Sequence, residues 1–467
     1  MYFQNIYEKG LAQASYLIGC QATGTAIVID PRRDIHVYLE AAAREKFTIT
    51  HVTETHIHAD FLSGARELAA ATGAELLLSD EGGADWQYAF PHTGLRDGSV
   101  FKVGNLKFEV MHTPGHTPEH IAFVLTDVPA GDYPIMFFSG DFVFVGDIGR
   151  PDLLEKAAGV TGTMERGAQQ MFHSLKKFKS LPDHVQVWPG HGAGSACGKA
   201  LGTVPGTTVG YEKLVNWALR YTDENEFVKE LLSGQPEPPY YFAMMKKLNK
   251  EGPPILGTSS GLKRLTTDDA TQAIRNGQTL IDTRPKTAFA EKHIPGAINI
   301  QNNNALSTWA GWILSYDKPF LILVSENDAQ DVYHKLIRIG LDHCTGYITE
   351  NRFWEESGGT LHSLRQIFAT DLSAKLSDPN VAVIDVRGVS EYETGHIAGA
   401  VHIHGGHLSR RLADLPKNKT LIIQCQGGDR SSTATSLLLK NGFSNIYNLI
   451  GGIAAWQKAG LPVVKEN

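Results

Sequence analysis

The strongest constraint on the fold of this chain is an internal repeat in its second half. The segment LIDTRPKTAFAEKHIPGAINI at 280–300 aligns with VIDVRGVSEYETGHIAGAVHI at 383–403, and the segments that begin at Leu321 and Leu421 align in the same way. Each copy has the pattern strand, Asp-x-Arg, helix, His-Ile-x-Gly-Ala, buried strand, loop and helix, which is typical of a small α/β domain with a parallel sheet. The repeat therefore predicts two such domains in tandem.

The first half of the chain has a different pattern. Short apolar runs such as TAIVID and IMFFSGD alternate with Gly and Pro, and a helix is predicted at 62–71. From residue 211 to about 250 the pattern is helical, and the segment EGPPILG that follows is typical of a linker. We therefore predict an α/β domain at 1–250 that ends in a helical extension, followed by the repeats at 259–355 and 364–467.

Composition excludes several classes of function. The 467-residue chain has a formal net charge of -7, with no basic patch and no long uncharged apolar stretch. We therefore expect no binding of nucleic acid and no membrane span, and the N-terminal sequence lacks the pattern of a secretory signal, which favours a cytoplasmic protein. In a reducing compartment the four cysteines are expected to matter as free thiols. They are Cys20, Cys197, Cys344 and Cys425.

Several His and Asp side chains follow apolar strands in the first domain. A single His-x-His more often caps a strand than binds metal, but here four elements occur in order. Because a sheet brings the ends of several strands to one edge, these side chains are expected to converge on a metal. The candidates are His56, His58 and Asp60 in THIHADFLSG, His116 in HTPGHTPEH, Asp141 in FSGDFVF, and His191 in WPGHGAG.

These motifs, across roughly residues 1–250, resemble those of the metallo-β-lactamase superfamily, which implies an αββα sandwich. The family holds up to two metals, with Asp141 as the bridging ligand in this numbering. Phe61 stands where the family has a further His of the second site, so the resemblance and this departure together predict a single metal. The resemblance implies the following groups: His56, His58 and His116 for one site, Asp60 and His191 for the other.

A single metal held by His56, His116 and Asp141 would have two imidazole ligands and one carboxylate ligand. This set is typical of non-haem Fe(II) oxygenases, which keep open positions for substrate and dioxygen. It resembles the persulfide dioxygenase branch of the superfamily and implies one Fe(II) per chain. The remaining motif residues are then expected to orient the ligands and handle protons: His58, Asp60 and His191.

Two further segments are candidates for substrate binding in the first domain. GDIGRPD resembles a segment of the same branch, which implies that Arg150 contacts the bound persulfide and that Asp152 positions it; an ion pair that tightens a loop is an equally good interpretation from spacing alone. Cys197 lies in a glycine-rich run after His191, so its thiol is a candidate for the substrate channel, with simple packing as the alternative. Cys20 ends a strand and has no assigned role.

In the last repeat, QCQGGDRSS places Cys425 between a buried strand and a helix, and Arg430 closes a Cys-x-x-x-x-Arg loop. Backbone N–H groups of such a loop, with the helix N-terminus, stabilise an anion on the sulfur. The loop is one residue shorter than phosphate-binding loops of phosphatases, which favours a persulfide. It resembles the rhodanese family over roughly 364–467, which implies that Cys425 and Arg430 are catalytic. The expected contacts of bound sulfur are Gln426, Gly427, Gly428, Asp429 and Ser431.

The middle repeat is predicted to be catalytically silent. Ser325 stands in place of the nucleophilic cysteine, and the acidic segment ENDAQD replaces the glycine-rich loop. We therefore expect this domain to act as a spacer, with Cys344 as a packing residue. The histidines in HIHGGH, near residue 404, lie where a rhodanese-like segment forms a strand and loop, and no metal site is predicted there.

The two resemblances imply one pathway of sulfide detoxification. The first domain would oxidise a low-molecular-weight thiol persulfide with dioxygen to thiol and sulfite, and Cys425 would transfer a second sulfur to sulfite as thiosulfate. The identity of the thiol and the formation of a homo-oligomer stay open. One alternative is a thioesterase like glyoxalase II, which uses two metals. Another is a metal-bound scaffold joined to a sulfur-carrier module.

Overall fold

A computed structural model describes residues 1–158, 162–199, 201–235, 237–257 and 261–465. The chain divides into two compact units: Met1–Ser259 with Ile337–Gly340, and Ser260–Leu336 with Leu341–Asn467. The predicted start of the middle domain, residue 259, lies outside the described residues. Among the residues that are described, no helix has the length and apolar character needed to cross a membrane.

The first unit contains two six-stranded sheets in its described part. Strands of the first sheet lie in chain order, with antiparallel pairing among the first three and parallel pairing from the third to the sixth. They are β1 Tyr2–Glu8, β2 Gln13–Cys20, β3 Thr25–Ile29, β4 Thr48–Thr53, β5 Glu75–Ser79 and β6 Thr93–Leu95. The second sheet has the order β12-β11-β10-β9-β8-β7. Its strands are β7 Val100–Val103, β8 Leu106–His112, β9 Ile121–Asp127, β10 Met136–Gly140, β11 Gln186–Pro189 and β12 Thr207–Thr208.

Helices cover the outer faces of both sheets. They are α1 His36–Arg44, α2 Ala65–Thr72, α3 Leu153–Ala158, α4 Thr163–Lys179, α5 Val209–Val215, α6 Glu224–Leu232 and α7 Tyr241–Glu251. One apolar core joins the inner faces of the sheets, a second lies between the first sheet and α1 and α2, and a third packs α4 and α6 on the second sheet. This is the αββα sandwich that the sequence predicted.

Hydrophobic periodicity explains these elements. In β8 the residues Leu106, Phe108 and Val110 are buried and alternate with less buried ones, as expected for a strand with one face in a core. The buried residues of α4, among them Met171 and Phe178, recur at three- and four-residue spacing and form one apolar stripe. The helix predicted at 62–71 begins later, at the start of α2, because Ser63 instead pairs with Arg32 in an isolated β-bridge.

Both repeats lie in the second unit, and each has an all-parallel sheet, as the sequence predicted. The strand orders are β14-β13-β15-β16 and β17-β21-β20-β18-β19. The strands are β13 Thr279–Asp282, β14 Ile298–Asn299, β15 Phe320–Leu323, β16 Cys344–Ile348, β17 Gln366–Ile367, β18 Val381–Asp385, β19 Val401–His402, β20 Thr420–Gln424 and β21 Ile446–Leu449. The helices are α8 Thr267–Arg275, α9 Lys286–Glu291, α10 Leu306–Ile313, α11 Ala329–Ile337, α12 Arg352–Glu356, α13 Ala369–Ser373, α14 Val389–Thr394, α15 Asp429–Lys440 and α16 Gly452–Lys458.

The residues that recur in both repeats are structural. Arg387 forms a bidentate ion pair with Asp385 and also donates to the Gly395 carbonyl. The matching arginine of the middle repeat forms the same bidentate pair with Asp282 and likewise donates to a backbone carbonyl. The histidine of the His-Ile-x-Gly-Ala motif, His396, stacks on Tyr392 with ring centroids 3.8 Å apart. These contacts fix the turn after each first strand, which explains why both copies keep them although only the last one has the loop cysteine.

Candidate metal centre and cysteine loop

The structure brings the three predicted metal ligands together. His56 lies after β4, His116 after β8 and Asp141 directly after β10, so three strand ends deliver them to one edge. One ligand atom from each lies within 4.8 Å of the other two, and all three side chains are buried. His116 Nε2 is 3.5 Å and His56 Nε2 is 3.9 Å from Asp141 Oδ2. This spacing leaves room for one ion between the three groups.

Unsatisfied polar atoms show that these residues fit a metal. Within the described residues, His56 Nε2 and both carboxylate oxygens of Asp141 are buried and make no hydrogen bond. Such atoms cost about 1–3 kcal/mol each when they are left without a partner. Burial raises the pKa of Asp141 to about 6, because water no longer solvates its carboxylate, and a bound cation would hold it ionised. A Cβ at Gly190 would lie 2.6 Å from Asp141 Oδ1, so only glycine leaves this carboxylate its space.

Hydrogen bonds fix the orientation of both imidazoles. His116 Nδ1 donates to the Arg150 carbonyl oxygen at 2.9 Å. Thr55 Oγ1 donates to Asp30, so the same hydroxyl oxygen accepts from His56 Nδ1 at 2.9 Å. In each ring the Nε2 atom therefore carries the lone pair and faces the metal position, as expected of a metal-binding histidine.

The other motif residues lie beside this centre. His58 contacts Asp30 Oδ1 through Nε2 at 3.1 Å, and its buried Nδ1 has no hydrogen-bond partner among the described residues. His191 Nδ1 donates to the Ala12 carbonyl at 3.0 Å, while its Nε2 lies 3.3 Å from Asp60 Oδ2 and 3.5 Å from Asp141 Oδ1. Asp30 was not predicted, because nothing in its own segment distinguishes it from an ordinary strand-end aspartate.

Cys197 lies with Asp60 and His191, and these three side chains form a second set beside the candidate metal centre. Its sulfur, a carboxylate oxygen of Asp60 and a ring nitrogen of His191 lie within 4.8 Å of one another, and all three residues are buried. Burial and the carboxylates of Asp141 and Asp60 raise the pKa of the Cys197 thiol well above its usual range. Of the two interpretations that the sequence left open for Cys197, this position favours a place at the metal edge over simple packing.

Phe61 is fully buried beside the second set. Its ring centroid lies 4.3 Å from that of His58. The side-chain amide of Asn249, on α7, donates to the backbone carbonyls of His58 and Phe61, and its carbonyl oxygen accepts from Ser63 N–H. The helical extension therefore holds the motif loop from behind. Asn249 could not be predicted, since its partners lie more than 180 positions earlier in the chain.

The segment with Arg150 contains the ion pair that the sequence offered as one of two interpretations. Arg150 is fully buried, and its guanidinium donates to both oxygens of Asp152 at 2.7 Å and to the Ala196 carbonyl at 3.1 Å. Burial by itself would raise the pKa of Asp152, but the hydrogen bonds from Arg150 lower it. Asp152 thus positions Arg150, and the pair holds the loop whose carbonyl orients His116. Contact of Arg150 with the substrate stays a prediction.

A cavity of about 730 Å³ opens beside His116. Four basic residues line it, against two acidic ones, Asp85 and Glu251. The basic residues are Arg166, Lys246, Lys247 and Lys250. The Lys246 ammonium lies 4.1 Å from the centroid of the Trp86 ring, and burial lowers the pKa of Lys246 to about 8. The cavity therefore presents a positive wall next to the metal position, which suits an anionic ligand.

Cys425 lies at the end of β20, and its side chain is buried. The Gly428 N–H donates to its sulfur at 3.1 Å, and the thiol lies 3.5 Å from Ser431 Oγ. Gly428 has a φ of +100°, which glycine adopts readily, and it precedes α15. The structure therefore brings a backbone donor and a helix N-terminus to the sulfur, as the sequence predicted for an anion-stabilising loop.

Arg430 is held by a residue that sequence analysis missed. Its guanidinium donates to both oxygens of Glu391, at 2.6 and 2.7 Å. Partial burial by itself would raise the pKa of Glu391, but this contact with Arg430 lowers it. Glu391 lies on α14, four positions after Arg387 in the chain, and the middle repeat has Ala288 in its place. A signal for this contact was available in the repeat: the copy with the loop arginine has an acidic residue at this position, and the copy without that arginine does not.

The cavity next to Cys425 has a volume of about 440 Å³ and draws on both repeats. Most of the residues of the last repeat that were predicted to contact bound sulfur line this cavity. Gly428 and Ser431 do not line it, but both contact the Cys425 sulfur. Those that line it are Gln426, Gly427, Asp429 and Arg430, together with Thr433. The middle repeat contributes Ile300, Gln301, Asn303, Ala305 and Trp309.

Ser325 of the middle repeat has a structural role. Its hydroxyl donates to Asp328 Oδ2 at 2.6 Å and accepts from Asp328 N–H at 3.2 Å, which caps a short 3₁₀ helix at Glu326–Asp328. Gln330 stands in place of the loop arginine. The loop therefore folds around its own acidic side chain and lacks an anion-binding cradle.

We expect that Ser325→Cys does not restore sulfur transfer to a chain that carries Cys425→Ser. The new thiol would face Asp328 and would lack both the glycine loop and the arginine. Thiosulfate formation from a thiol persulfide and sulfite measures the activity, with wild type as the reference. Turnover above about a tenth of the wild-type rate would show that the middle loop is competent.

Comparison with known proteins agrees with both halves of this description. The sequence profile of the metallo-beta-lactamase superfamily matches residues 9–191, and that of the rhodanese-like domain matches 266–347 and 368–459. The crystal structure of a metallo-beta-lactamase from Staphylococcus aureus subsp. aureus COL is 43% identical, with a TM-score of 0.67, and the match covers 74% of this chain and 98% of that chain.

Two further proteins are similar to shorter parts of this chain. A hydroxyacylglutathione hydrolase of Rhodospirillum rubrum is 36% identical over 176 residues, which cover 38% of this chain and 60% of the relative. The crystal structure of ETHE1 from Myxococcus xanthus is 27% identical with a TM-score of 0.45, and covers 54% of this chain and 98% of that one. The chain thus spans about 60% of the length of the curated relatives it matches. Taken with the αββα sandwich and the candidate metal centre at its edge, the matches show that the chain belongs to the metallo-β-lactamase superfamily, with two rhodanese-like domains after the first domain.

Proposed function

We propose that this protein is a persulfide dioxygenase and sulfurtransferase that holds one Fe(II) per chain. The observation that carries the proposal is the group formed by His56, His116 and Asp141, with Phe61 in place of a ligand of a second metal site. Two imidazoles and one carboxylate on one side of an ion leave positions free for substrate and dioxygen. When bound, Fe(II) supplies the redox chemistry with dioxygen that no side chain of the protein can supply.

The proposed first reaction is RSSH + O₂ + H₂O → RSH + SO₃²⁻ + 2 H⁺. The outer sulfur is oxidised, dioxygen is reduced, and the two protons must leave the site. The pairs His58–Asp30 and His191–Asp60 lie next to the metal position and are suited to relay these protons. The basic wall of the cavity favours a thiol R–SH that carries negative charge.

The proposed second reaction takes place at Cys425. Its thiolate attacks the outer sulfur of a persulfide, which gives a Cys425 persulfide and releases RS⁻. Sulfite then attacks that sulfur: Cys425–SSH + SO₃²⁻ → Cys425–SH + S₂O₃²⁻. The Gly428 N–H and the positive Arg430 suit the anions on both sides of this step. The persulfide, dioxygen and sulfite are the partners that the proposal requires. A cytoplasmic place in sulfide detoxification is part of it, since all four cysteines are free.

A second candidate function is hydrolysis of a hydroxyacylglutathione, the activity named for several relatives of the first domain. One observation favours it: Asp60, His191 and Cys197 provide a second group of potential ligands next to the first. A two-metal centre of this kind activates water for attack on a thioester.

One experiment separates the two candidates. The protein is purified and loaded with Fe(II) without oxygen, and oxygen uptake and sulfite release are followed with glutathione persulfide. A parallel assay with a hydroxyacylglutathione follows thioester hydrolysis. Thiosulfate is measured as well, and we expect oxygen uptake to equal the sum of sulfite and thiosulfate formed, with no appreciable hydrolysis. Hydrolysis without persulfide-dependent oxygen uptake would overturn the proposal.

Lys246 is expected to bind the negatively charged thiol. Replacing it by Met keeps the length of the side chain against Trp86 but removes the charge, and we expect KM for glutathione persulfide to rise about tenfold with little change in kcat, in line with the loss of one charge-assisted hydrogen bond. Because the pKa of Lys246 is lowered to about 8, its cation is present below that pH and lost above it. KM of the wild type should therefore rise above pH 8, and KM of the variant should not.

Lys107→Met is the matched control for this test. Lys107 lies on β8 outside the cavity, and its Nζ forms a loose ion pair with Glu109 Oε2 at 3.9 Å. Its loss should therefore leave KM unchanged. An equal rise of KM in both variants would mean that net charge, and not the wall of the cavity, attracts the substrate.

A further inference from the structure

The middle repeat places a lysine against the cysteine loop of the last repeat. Lys286 is the first residue of α9, and its Nζ donates to the Gly427 carbonyl oxygen and to Asp429 Oδ1, both at 2.6 Å. The two repeats lie in the same compact unit. A residue of the copy without a nucleophile therefore touches the loop that surrounds the nucleophile of the other copy.

The contact acts on the peptide group that faces the sulfur. The Gly427 carbonyl and the Gly428 N–H belong to one planar peptide, so in the trans form they point in opposite directions. Lys286 holds the carbonyl at one end, and at the other end the N–H donates to Cys425 Sγ at 3.1 Å. An ammonium on the carbonyl oxygen fixes the plane of the peptide and polarises its N–H, which makes that N–H a stronger donor.

Nothing else in the loop fixes this peptide from that side. Both residues are glycines without side chains, and a Cβ built at Gly427 would have no atom within 4 Å among the described residues. Gly428 also has the φ of +100° that glycine adopts with little restriction. Such a segment loses much conformational entropy when it is ordered, so a charged hydrogen bond from outside the loop has a clear use here.

We propose that Lys286 is a positioning residue for sulfur transfer, which aims the Gly428 N–H at Cys425 and so makes the middle repeat part of the sulfur-transfer site. The cavity supports this role for the repeat, since Gln301, Asn303 and Trp309 form its opposite wall. The inference rests on the proposed sulfurtransferase function of Cys425. It replaces the expectation that the middle repeat is only a spacer.

The ion pair with Asp429 does not account for the contact by itself. The side chains of Lys286 and Asp429 are 32% and 55% exposed, and ion pairs at such positions add little to stability. Lys286→Met should therefore fold normally and act through the orientation of the peptide. Lys286→Arg keeps a cation at the carbonyl and should retain most of the wild-type behaviour.

The test measures the reactivity of Cys425 in the full chain without any substrate. Iodoacetamide reacts with the thiolate, and trypsin releases this cysteine in the peptide TLIIQCQGGDR, residues 420–430, for mass spectrometry. In Lys286→Met we expect alkylation at pH 7 to slow by about three- to tenfold, because the anion on sulfur loses part of its stabilisation, and alkylation at pH 10 to match the wild type. Arg430 and Glu391, the other charged pair at the loop, are unchanged.

Lys440→Met is the matched control, since Lys440 also joins the repeats through a backbone carbonyl, that of Gly296 at 3.4 Å, but lies away from Cys425. It should alkylate like the wild type. Equal slowing in both lysine variants, or wild-type reactivity of Lys286→Met at pH 7, would overturn the inference. The assay needs neither persulfide nor iron. If the wild type forms no thiosulfate while Lys286→Met still slows alkylation, the proposed function fails and the positioning role stands.

Discussion

Cys425→Ser is expected to abolish thiosulfate formation and to leave persulfide-dependent oxygen uptake intact. The metal ligands belong to one compact unit and Cys425 to the other, so each reaction has its own machinery. A serine hydroxyl has the size of the thiol but cannot carry a persulfide. Sulfite should therefore accumulate in the amount that the wild type converts to thiosulfate. Oxygen uptake, sulfite and thiosulfate are measured in the same reaction.

Cys344→Ser serves as the control for this substitution. Cys344 begins β16 of the middle repeat, and its thiol contacts only a backbone carbonyl at 3.7 Å in the described structure. This variant should form thiosulfate at the wild-type rate. If oxygen uptake collapsed in a folded, iron-loaded Cys425→Ser protein, the scheme of two independent reactions would be wrong.

Phe61→His is expected to create a second metal site and to remove dioxygenase activity. The new imidazole would follow Asp60 in the motif loop, and the Asp60 carboxylate lies 3.3 Å from His191 Nε2, so that Asp141 could then bridge two ions. Sharing this carboxylate would weaken its bond to the first ion and change the positions left for substrate and dioxygen. Offered zinc, the variant should bind about two equivalents per chain and gain weak thioester hydrolysis.

Phe61→Leu separates the new ligand from the loss of packing. Phe61 is fully buried, and removing a buried aromatic side chain down to alanine lowers the free energy of unfolding by about 3–5 kcal/mol. The leucine variant loses part of this packing but offers no ligand, so it should bind one ion and keep its activity with oxygen. Loss of activity in both variants with one ion bound would show that packing at residue 61, and not ligand number, controls the reaction.

The sequence was sufficient for features that are local in the chain. His56, His116 and Asp141 each lie within a few residues of the end of a strand, and strand ends meet at a sheet edge, so their convergence could be expected. The cysteine loop is a single segment between a strand and a helix, and its backbone donor at Gly428 follows from that geometry. The two parallel sheets followed from the internal repeat.

Features that depend on distant contacts could not be predicted. Lys246 lies on an amphipathic helix in a run of lysines, where solvent exposure is the ordinary expectation, and only packing against Trp86 places it in the cavity. Lys286 is 141 positions from Gly427. Spacing alone left an ion pair of Arg150 with Asp152 as one of two interpretations, and only the fold shows that Arg150 is buried against that carboxylate.

The number of metal ions per chain decides whether the centre is mononuclear. The proposed dioxygenase requires one ion, held by His56, His116 and Asp141, with Phe61 in place of a ligand of the second site. The protein should be purified without oxygen, passed through a desalting column and analysed by plasma mass spectrometry against its amino-acid content. We predict one iron per chain and no second tightly bound ion. Two tightly bound ions per chain, one of them held by Asp60, His191 and Cys197, would contradict the mononuclear centre and with it the proposed dioxygenase.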